Sequence, residues 1–195
     1  MPKFLVSAAL AALIALPAGA GEIASSIDPA SLSEREKTTL GLYLSAEDAH
    51  RALEADPGIV FVDVRGPREV EFVGIAEGTD ANVPVKIKTT DYVAKKKGYA
   101  WRDNPDFVAQ VDAILAREGK TRADPVFVQC RSGGRSKMAA QKLIDAGYSQ
   151  VYNLVEGFEG GKDKASGHRT VAGWRNSDLP WHYGIAPDQA WTPGS

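Results

Sequence analysis

Cys130 is the only cysteine of the chain, and it stands where an apolar run breaks into glycines and arginines: Val126-Phe127-Val128-Gln129-Cys130-Arg131-Ser132-Gly133-Gly134-Arg135-Ser136. The β-branched and aromatic residues Val126 to Val128 predict a strand buried on both faces, and Ser136 to Ile144 predicts a helix. A thiol in a strand-to-helix turn is a nucleophile held in a fixed place. Gly133 and Gly134 lack Cβ atoms, so the turn can curl tightly and aim successive backbone N–H groups inward, while the positive end of the helix points the same way. Arg131 and Arg135 add positive charge, and a guanidinium can hold two oxygens of an anion at once. This is a place to stabilise negative charge on sulfur. A lone cysteine is also commonly an inert buried thiol, but the electropositive surroundings of Cys130 favour a reactive one. Arg135 is equally suited to a salt bridge directed inward.

Elements on either side must position this turn. Ile59 to Val62 predicts a second buried strand, ending in Asp63-Val64-Arg65, and Pro67 opens a short amphipathic helix through about Val73. Val151 to Val155 predicts a third strand, ending at Glu156-Gly157. In a parallel α/β sheet the C-terminal strand ends share one edge, where ligands bind. Asp63, Arg65, the Cys130 turn and Glu156-Gly157 are therefore expected on one rim, with Asp63 and Arg65 as supports that fix neighbouring loops. Ser45 and Asp48 mark the start of a helix from Ala46 to Ala55, with Ala49, Ala52 and Leu53 inward. A short strand is expected over Ala81 to Val85. Phe107, Val108, Val111, Ile114 and Leu115 recur at helical spacing in a helix from Asn104 or Pro105 to about Arg117, so they are core. Between these, Lys86, Lys88, Lys95, Lys96 and Lys97 form either a solvated face or a rim that steers anions.

Composition limits the rest. Acidic and basic residues nearly balance, leaving a formal net charge of -2, which fits one soluble globular domain and gives no support for nucleic-acid binding. The first residues differ: Lys3 precedes an apolar run from Phe4 to Leu16, and Ala18-Gly19-Ala20 is a small-residue cleavage pattern. Residues 1–20 are expected to be a signal peptide cleaved after Ala20, because the run is short for a bilayer core of roughly 30 Å and Pro17 follows it. The mature protein is then periplasmic or secreted, with no membrane association after cleavage. In an oxidising compartment Cys130 has no partner in the chain with which to form a bridge. Residues 21–40 are polar and aperiodic, and read as a loosely packed extension. His50 reads as an ordinary partly exposed residue. His168 and His182 lack a cysteine or carboxylate cluster, so no metal site is expected; the tryptophans near them read as packing. No cofactor is called for.

In order along the chain, these stretches resemble the single-domain rhodanese family of sulfurtransferases. Residues 130–136 are similar almost position for position to that family's active-site loop. Val62-Asp63-Val64-Arg65 is similar to its Asp-Val-Arg strand end, and Ala81-Asn82-Val83-Pro84 to the end of its Gly-Ala-x-Asn-hydrophobic-Pro segment. Asn153-Leu154 with Gly157 matches its last strand and turn, and Gly173-Trp174 with Leu179-Pro180 matches its closing Trp and Leu-Pro. Two features depart: Gly74 is followed by Ile75-Ala76-Glu77 where a histidine is common, and Phe158 to Ala172 lengthens the path to Trp174. The resemblance implies an α/β fold, a rhodanese-like parallel sheet flanked by helices on both faces in a single domain over residues 41–183. Insertions fall near 86–124 and 158–172, and residues 184–195 form a C-terminal tail.

The chemistry so implied begins with a Cys130 thiolate attacking the outer sulfur of a donor such as thiosulfate, and continues through a Cys130 persulfide passed to a thiophilic acceptor. Arg131, Ser132, Gly133, Gly134, Arg135 and Ser136 are the expected substrate-binding residues, through backbone N–H groups, two hydroxyls and two guanidinium groups. The expected partners are a small sulfur-containing anion as donor and a thiol, cyanide-like or protein acceptor. A cysteine phosphatase or arsenate reductase also cradles a thiolate, but needs five residues between Cys and Arg; here four separate Cys130 from Arg135. A second reading is a persulfide carrier or binding module for a periplasmic partner, without turnover.

Overall fold

Three four-residue runs, Val60–Asp63, Val126–Gln129 and Val151–Leu154, are buried at every position. Burial on both faces is what β-branched and aromatic runs without alternation produce when they are central strands of a parallel sheet. The computed structural model describes residues 23–34 and 36–193; the expected signal segment, Met1 to Ala20, lies outside them.

In chain order the elements are β1 (Tyr43–Leu44), α1 (Ala46–Ala55), β2 (Val60–Asp63), α2 (Pro67–Val73), β3 (Ile75–Ala76), β4 (Ala81–Asn82), β5 (Lys86–Val93) and β6 (Gly98–Asp103). Then follow α3 (Phe107–Arg117), β7 (Val126–Gln129), α4 (Gly134–Asp145), β8 (Val151–Leu154), β9 (Gly161–Lys162), β10 (Arg169–Val171) and β11 (Trp181–His182). Five strands form one sheet in the order β1-β8-β7-β2-β4, and every pairing in it is parallel. Alternation splits its side chains between two cores. Val62, Val64, Val128, Val151 and Cys130 pack with α3 and α4, whereas Phe61, Phe127, Tyr152 and Leu154 pack with α1 and Trp174. The fold is the expected α/β sheet with helices on both faces.

Both edges of this sheet are covered, which blocks strand-to-strand association. At β1, Ser26 N–H donates to the Tyr43 carbonyl (2.9 Å) and Ser25 Oγ bonds the same residue. The extension expected to be loosely packed is thus tied to the sheet at Ser25 and Ser26, and Ile23 packs on the second core. At β4, Asn82 N–H donates to the Gln189 carbonyl (2.8 Å) and the Gln189 amide donates to the Thr79 carbonyl (2.7 Å).

Two segments carry structure that composition concealed. Lys86 to Asp103 is an antiparallel hairpin, with Lys86 opposite Asp103, Ile87 opposite Arg102 and Lys88 opposite Trp101. Within Phe158 to Ala172, β9 and β10 pair as a second short ribbon. Helix α4 starts at Gly134, ahead of the expected Ser136, because Gly133 (φ +86°) turns the chain into it. Arg135 and Ser136 therefore lie in its first turn, where N–H groups have no intrahelical acceptor.

Candidate active site

The Cys130 turn is clamped by the residues that follow β8. Phe158 N–H donates to the Cys130 carbonyl (2.7 Å) and Glu159 N–H to the Arg131 carbonyl (2.9 Å), so both carbonyls of the turn are engaged from outside. Backbones this close leave no room for a side chain. A Cβ on Gly157 (φ +64°) would stand 2.6 Å from the Cys130 carbonyl oxygen and the Ser132 nitrogen, and one on Gly133 would stand 2.2 Å from the Val155 carbonyl oxygen. Positive φ makes the same demand for glycine at both positions. The N–H groups of residues 131 to 136, by contrast, have no acceptor among the described residues. The turn closes on itself, with Ser136 Oγ 3.4 Å from Cys130 Sγ and 2.9 Å from the Gly133 carbonyl oxygen. Carbonyls held outward and amides left open form a cradle for negative charge.

Cys130 is buried, at 2% exposure, within the first core, whereas reactive cysteines are commonly partly exposed. The cause of the burial is its place in the first core and the closure of the turn through Ser136. Beside the turn opens a recess of about 240 Å³ lined by Glu69, Lys86, Trp101, Arg131 and Arg135. The Arg131 side chain is exposed and has no ion-pair partner among the described residues. Ser132 is half-buried, and no bond joins its hydroxyl to Cys130.

Arg135 takes the inward salt bridge. Its Nη1 and Nη2 bond the two Glu69 oxygens at 2.5 and 2.7 Å. Burial disfavours the Glu69 carboxylate, but the Arg135 guanidinium and the Gly66 N–H outweigh it and hold the carboxyl below its ordinary value. Burial likewise works against charge on Arg135, and Glu69 overcomes it, raising Arg135 above the ordinary arginine value. Its guanidinium also lies 5.2 Å from the centre of the Trp101 ring, and Lys88 Nζ lies 4.2 Å from that centre. A further cation comes from β10: burial, and then the like charge of Arg131, hold Arg169 below the ordinary value, with Cys130 and Glu159 acting the other way. Arg169 is thus within electrostatic reach of the turn, anchored by a 2.6 Å bond to the Gly160 carbonyl.

Asp63 and Arg65 are where a supporting pair should be, fully buried at the end of β2, whose register sets Asp63 beside Gln129. Asp63 accepts from the Arg65 N–H, Nε and Nη2, and Nη2 also donates to the Gly74 carbonyl. The Arg65 guanidinium lies 4.3 Å over the Phe158 ring, on the sheet face opposite the first core. Through Phe158 it braces the residue whose N–H holds Cys130. Glu156 lies on the expected rim, just past the end of β8, but its carboxylate accepts from Ala46 N–H at the start of α1 and does not join the cysteine turn. His50 is partly buried against Trp174, at 5.6 Å between ring centres. Glu69, Trp101 and Arg169 are the site neighbours that sequence reasoning passed over; Lys86, one of the lysines read as either a solvated face or an anion-steering rim, lines the recess. A hairpin signal was available for Trp101, since Ile87, Thr89, Thr90, Tyr92 and Val93 precede a lysine-glycine turn and then Tyr99 and Trp101.

Comparison with known proteins agrees with this geometry. The Rhodanese-like domain model matches residues 45–164. The uncharacterized protein RC0915 of Rickettsia conorii is 31% identical over 136 residues, covering 69% of this chain and 92% of that protein. Thiosulfate sulfurtransferase 16, chloroplastic, of Arabidopsis thaliana is 32% identical over 123 residues, covering 63% and 88%. The crystal structure of Rv0390 from M. tuberculosis superposes with a TM-score of 0.55 at 34% identity, covering 73% of this chain and 97% of that one. With its parallel sheet, its clamped cysteine turn and these relatives, the chain belongs to the rhodanese-like domain family.

Proposed function

We propose that the protein is a sulfurtransferase that moves sulfane sulfur from an anionic donor such as thiosulfate to a thiophilic acceptor through a persulfide on Cys130. The observation that carries this reading is the run of open N–H groups from residue 131 to 136, closing on Cys130 Sγ through Ser136. In the first half-reaction the Cys130 thiolate attacks the outer sulfur of thiosulfate, the donor S–S bond breaks, and its electron pair leaves with sulfite. Cys130 then carries the outer sulfur as a persulfide anion. In the second, a nucleophile such as cyanide attacks that sulfur, and the electron pair of the persulfide bond returns to Cys130 as thiolate. Both half-reactions keep negative charge on sulfur, which the open amides and the start of α4 stabilise. Arg131 is the free cation for the donor's sulfonate end, while Arg135, held at both nitrogens by Glu69, shapes the wall. That commitment also speaks against a phosphatase, whose arginine must turn to the oxyanion.

Purified protein supplied with thiosulfate and cyanide is expected to release thiocyanate over many turnovers, and Cys130→Ser to release none. Persulfide formation with no turnover by the wild type would select the carrier reading instead. Export belongs to the same proposal, and sequencing the N-terminus of the protein secreted by its host should begin at Gly21.

A further inference from the structure

The β5–β6 hairpin is an arm whose root and tip have different surroundings. At the root, Lys86 and Trp101 line the recess beside the Cys130 turn. Toward the tip the ribbon pairs only with itself, as a separate two-stranded sheet, and such ribbons alone are marginally stable. The tip carries Lys95, Lys96 and Lys97 in a row, all exposed. Between tip and root, Tyr92 and Tyr99 form an edge-to-face pair 5.9 Å apart, yet remain 64% and 52% exposed. Six basic and two acidic side chains fall between residues 86 and 103, in a chain whose net charge is -2. Positive charge is thus concentrated on this one projection.

Reach determines what such an arm can touch. At about 3.3 Å per residue, β5 spans on the order of 20 Å from the recess to the lysine row. A small donor at Cys130 cannot meet Lys95, Lys96 or Lys97, whereas a macromolecule can touch the row and place one group in the recess. Exposed tyrosines beside a basic cluster are an interface composition. The negative balance of the remaining surface repels an extended polyanion such as nucleic acid or an anionic bilayer, but not a protein with one acidic patch. We infer that the β5–β6 arm docks an acidic protein that presents a cysteine to the Cys130 persulfide as sulfur acceptor. The inference rests on the sulfurtransferase reading and assigns the partner class for its second half-reaction. The partner thiolate attacks the outer sulfur, the persulfide S–S bond breaks with its electron pair returning to Cys130, and a new S–S bond forms on the partner. No oxidant or reductant is consumed.

The test compares three acceptors with thiosulfate as donor: cyanide, a glutamate-rich peptide with one cysteine, and a Ser/Gly peptide of equal length with one cysteine. Wild type is expected to use the acidic peptide about tenfold better in kcat/KM than the neutral one. Combined Lys95→Gln, Lys96→Gln and Lys97→Asn should erase that preference while cyanide turnover is unchanged; asparagine suits the left-handed Lys97 (φ +47°). Equal use of both peptides by wild type, or a preference that survives the triple change, overturns the inference. Fluorescence anisotropy of the labelled acidic peptide with its thiol blocked reads docking without catalysis. Failure of cyanide turnover with arm-dependent peptide binding retains the docking surface and overturns the enzyme reading. Sedimentation with phosphatidylserine vesicles that requires the three lysines, without peptide binding, assigns the arm to a membrane and overturns the inference.

Discussion

Both terminal nitrogens of Arg135 are bonded to the Glu69 carboxylate, at 2.5 and 2.7 Å, so a residue of the cysteine turn is fastened to α2 in the lining of the recess. The side chains are 14% and 26% exposed, so solvent screens the pair little. Removing the carboxylate leaves a half-buried guanidinium without its partner.

Glu69→Gln is therefore expected to cost about 1–3 kcal/mol in urea unfolding at pH 7. The pH dependence follows from the direction of the shift. Glu69 is held below its ordinary 4.5 in the folded state, so its stabilising contribution is fully present above that value. It is lost as pH falls through the lower folded value. The difference between wild type and Glu69→Gln should begin to shrink as pH falls below 4.5; a constant difference down to pH 3 would remove Glu69 from the acid limb.

The glycines of the clamp should respond according to the space around them. Gly133→Ala and Gly157→Ala each push a Cβ into backbone at 2.2 and 2.6 Å and force a positive φ on alanine. Each is expected to lose about 2–4 kcal/mol or to displace the turn. Gly134 has nothing within 4 Å of a built Cβ, and Gly134→Ala should leave stability unchanged or raise it by about 0.5 kcal/mol. Thermal unfolding of the three variants checks the contrast.

Asp63→Asn tests the buried support. It leaves Arg65 charged and buried without a counter-charge, at an expected cost of about 3–5 kcal/mol. Because Arg65 packs on Phe158, hydrogen exchange of the Phe158 and Glu159 amides should accelerate more than that of α3. Uniform acceleration would show that the pair supports the fold without bracing the turn.

Arg131→Ala separates recognition from chemistry. It should lower kcat/KM for dianionic thiosulfate about tenfold and for a neutral or singly charged donor much less. Equal losses for both donors would take Arg131 out of donor binding.

The sequence made the central sheet legible because a strand buried on both faces has a period-free apolar run, and β2, β7 and β8 are such runs. The Cys130 turn was legible for a related reason, since glycines and a lone nucleophile at a strand end have few other uses. The arm was not. Its lysines dominate the composition of residues 86 to 103, and their charge conceals the β-branched and aromatic residues that pair across it. Glu69 escaped notice because its partner is remote in sequence, and Arg169 because β10 brings it to the turn only through a ribbon formed by residues outside the matching motifs. The cysteine's burial also lay beyond local pattern, as it depends on Ser136 closing the turn from α4 and on the first core that the turn joins.

The most direct measurement is the intact mass of the protein after thiosulfate is added and removed, with the modified residue located by fragmentation. The expected result is a gain of one sulfur atom on Cys130 that disappears on adding cyanide, with no gain in Cys130→Ser. An unmodified Cys130 under conditions in which the protein remains folded would contradict the persulfide account.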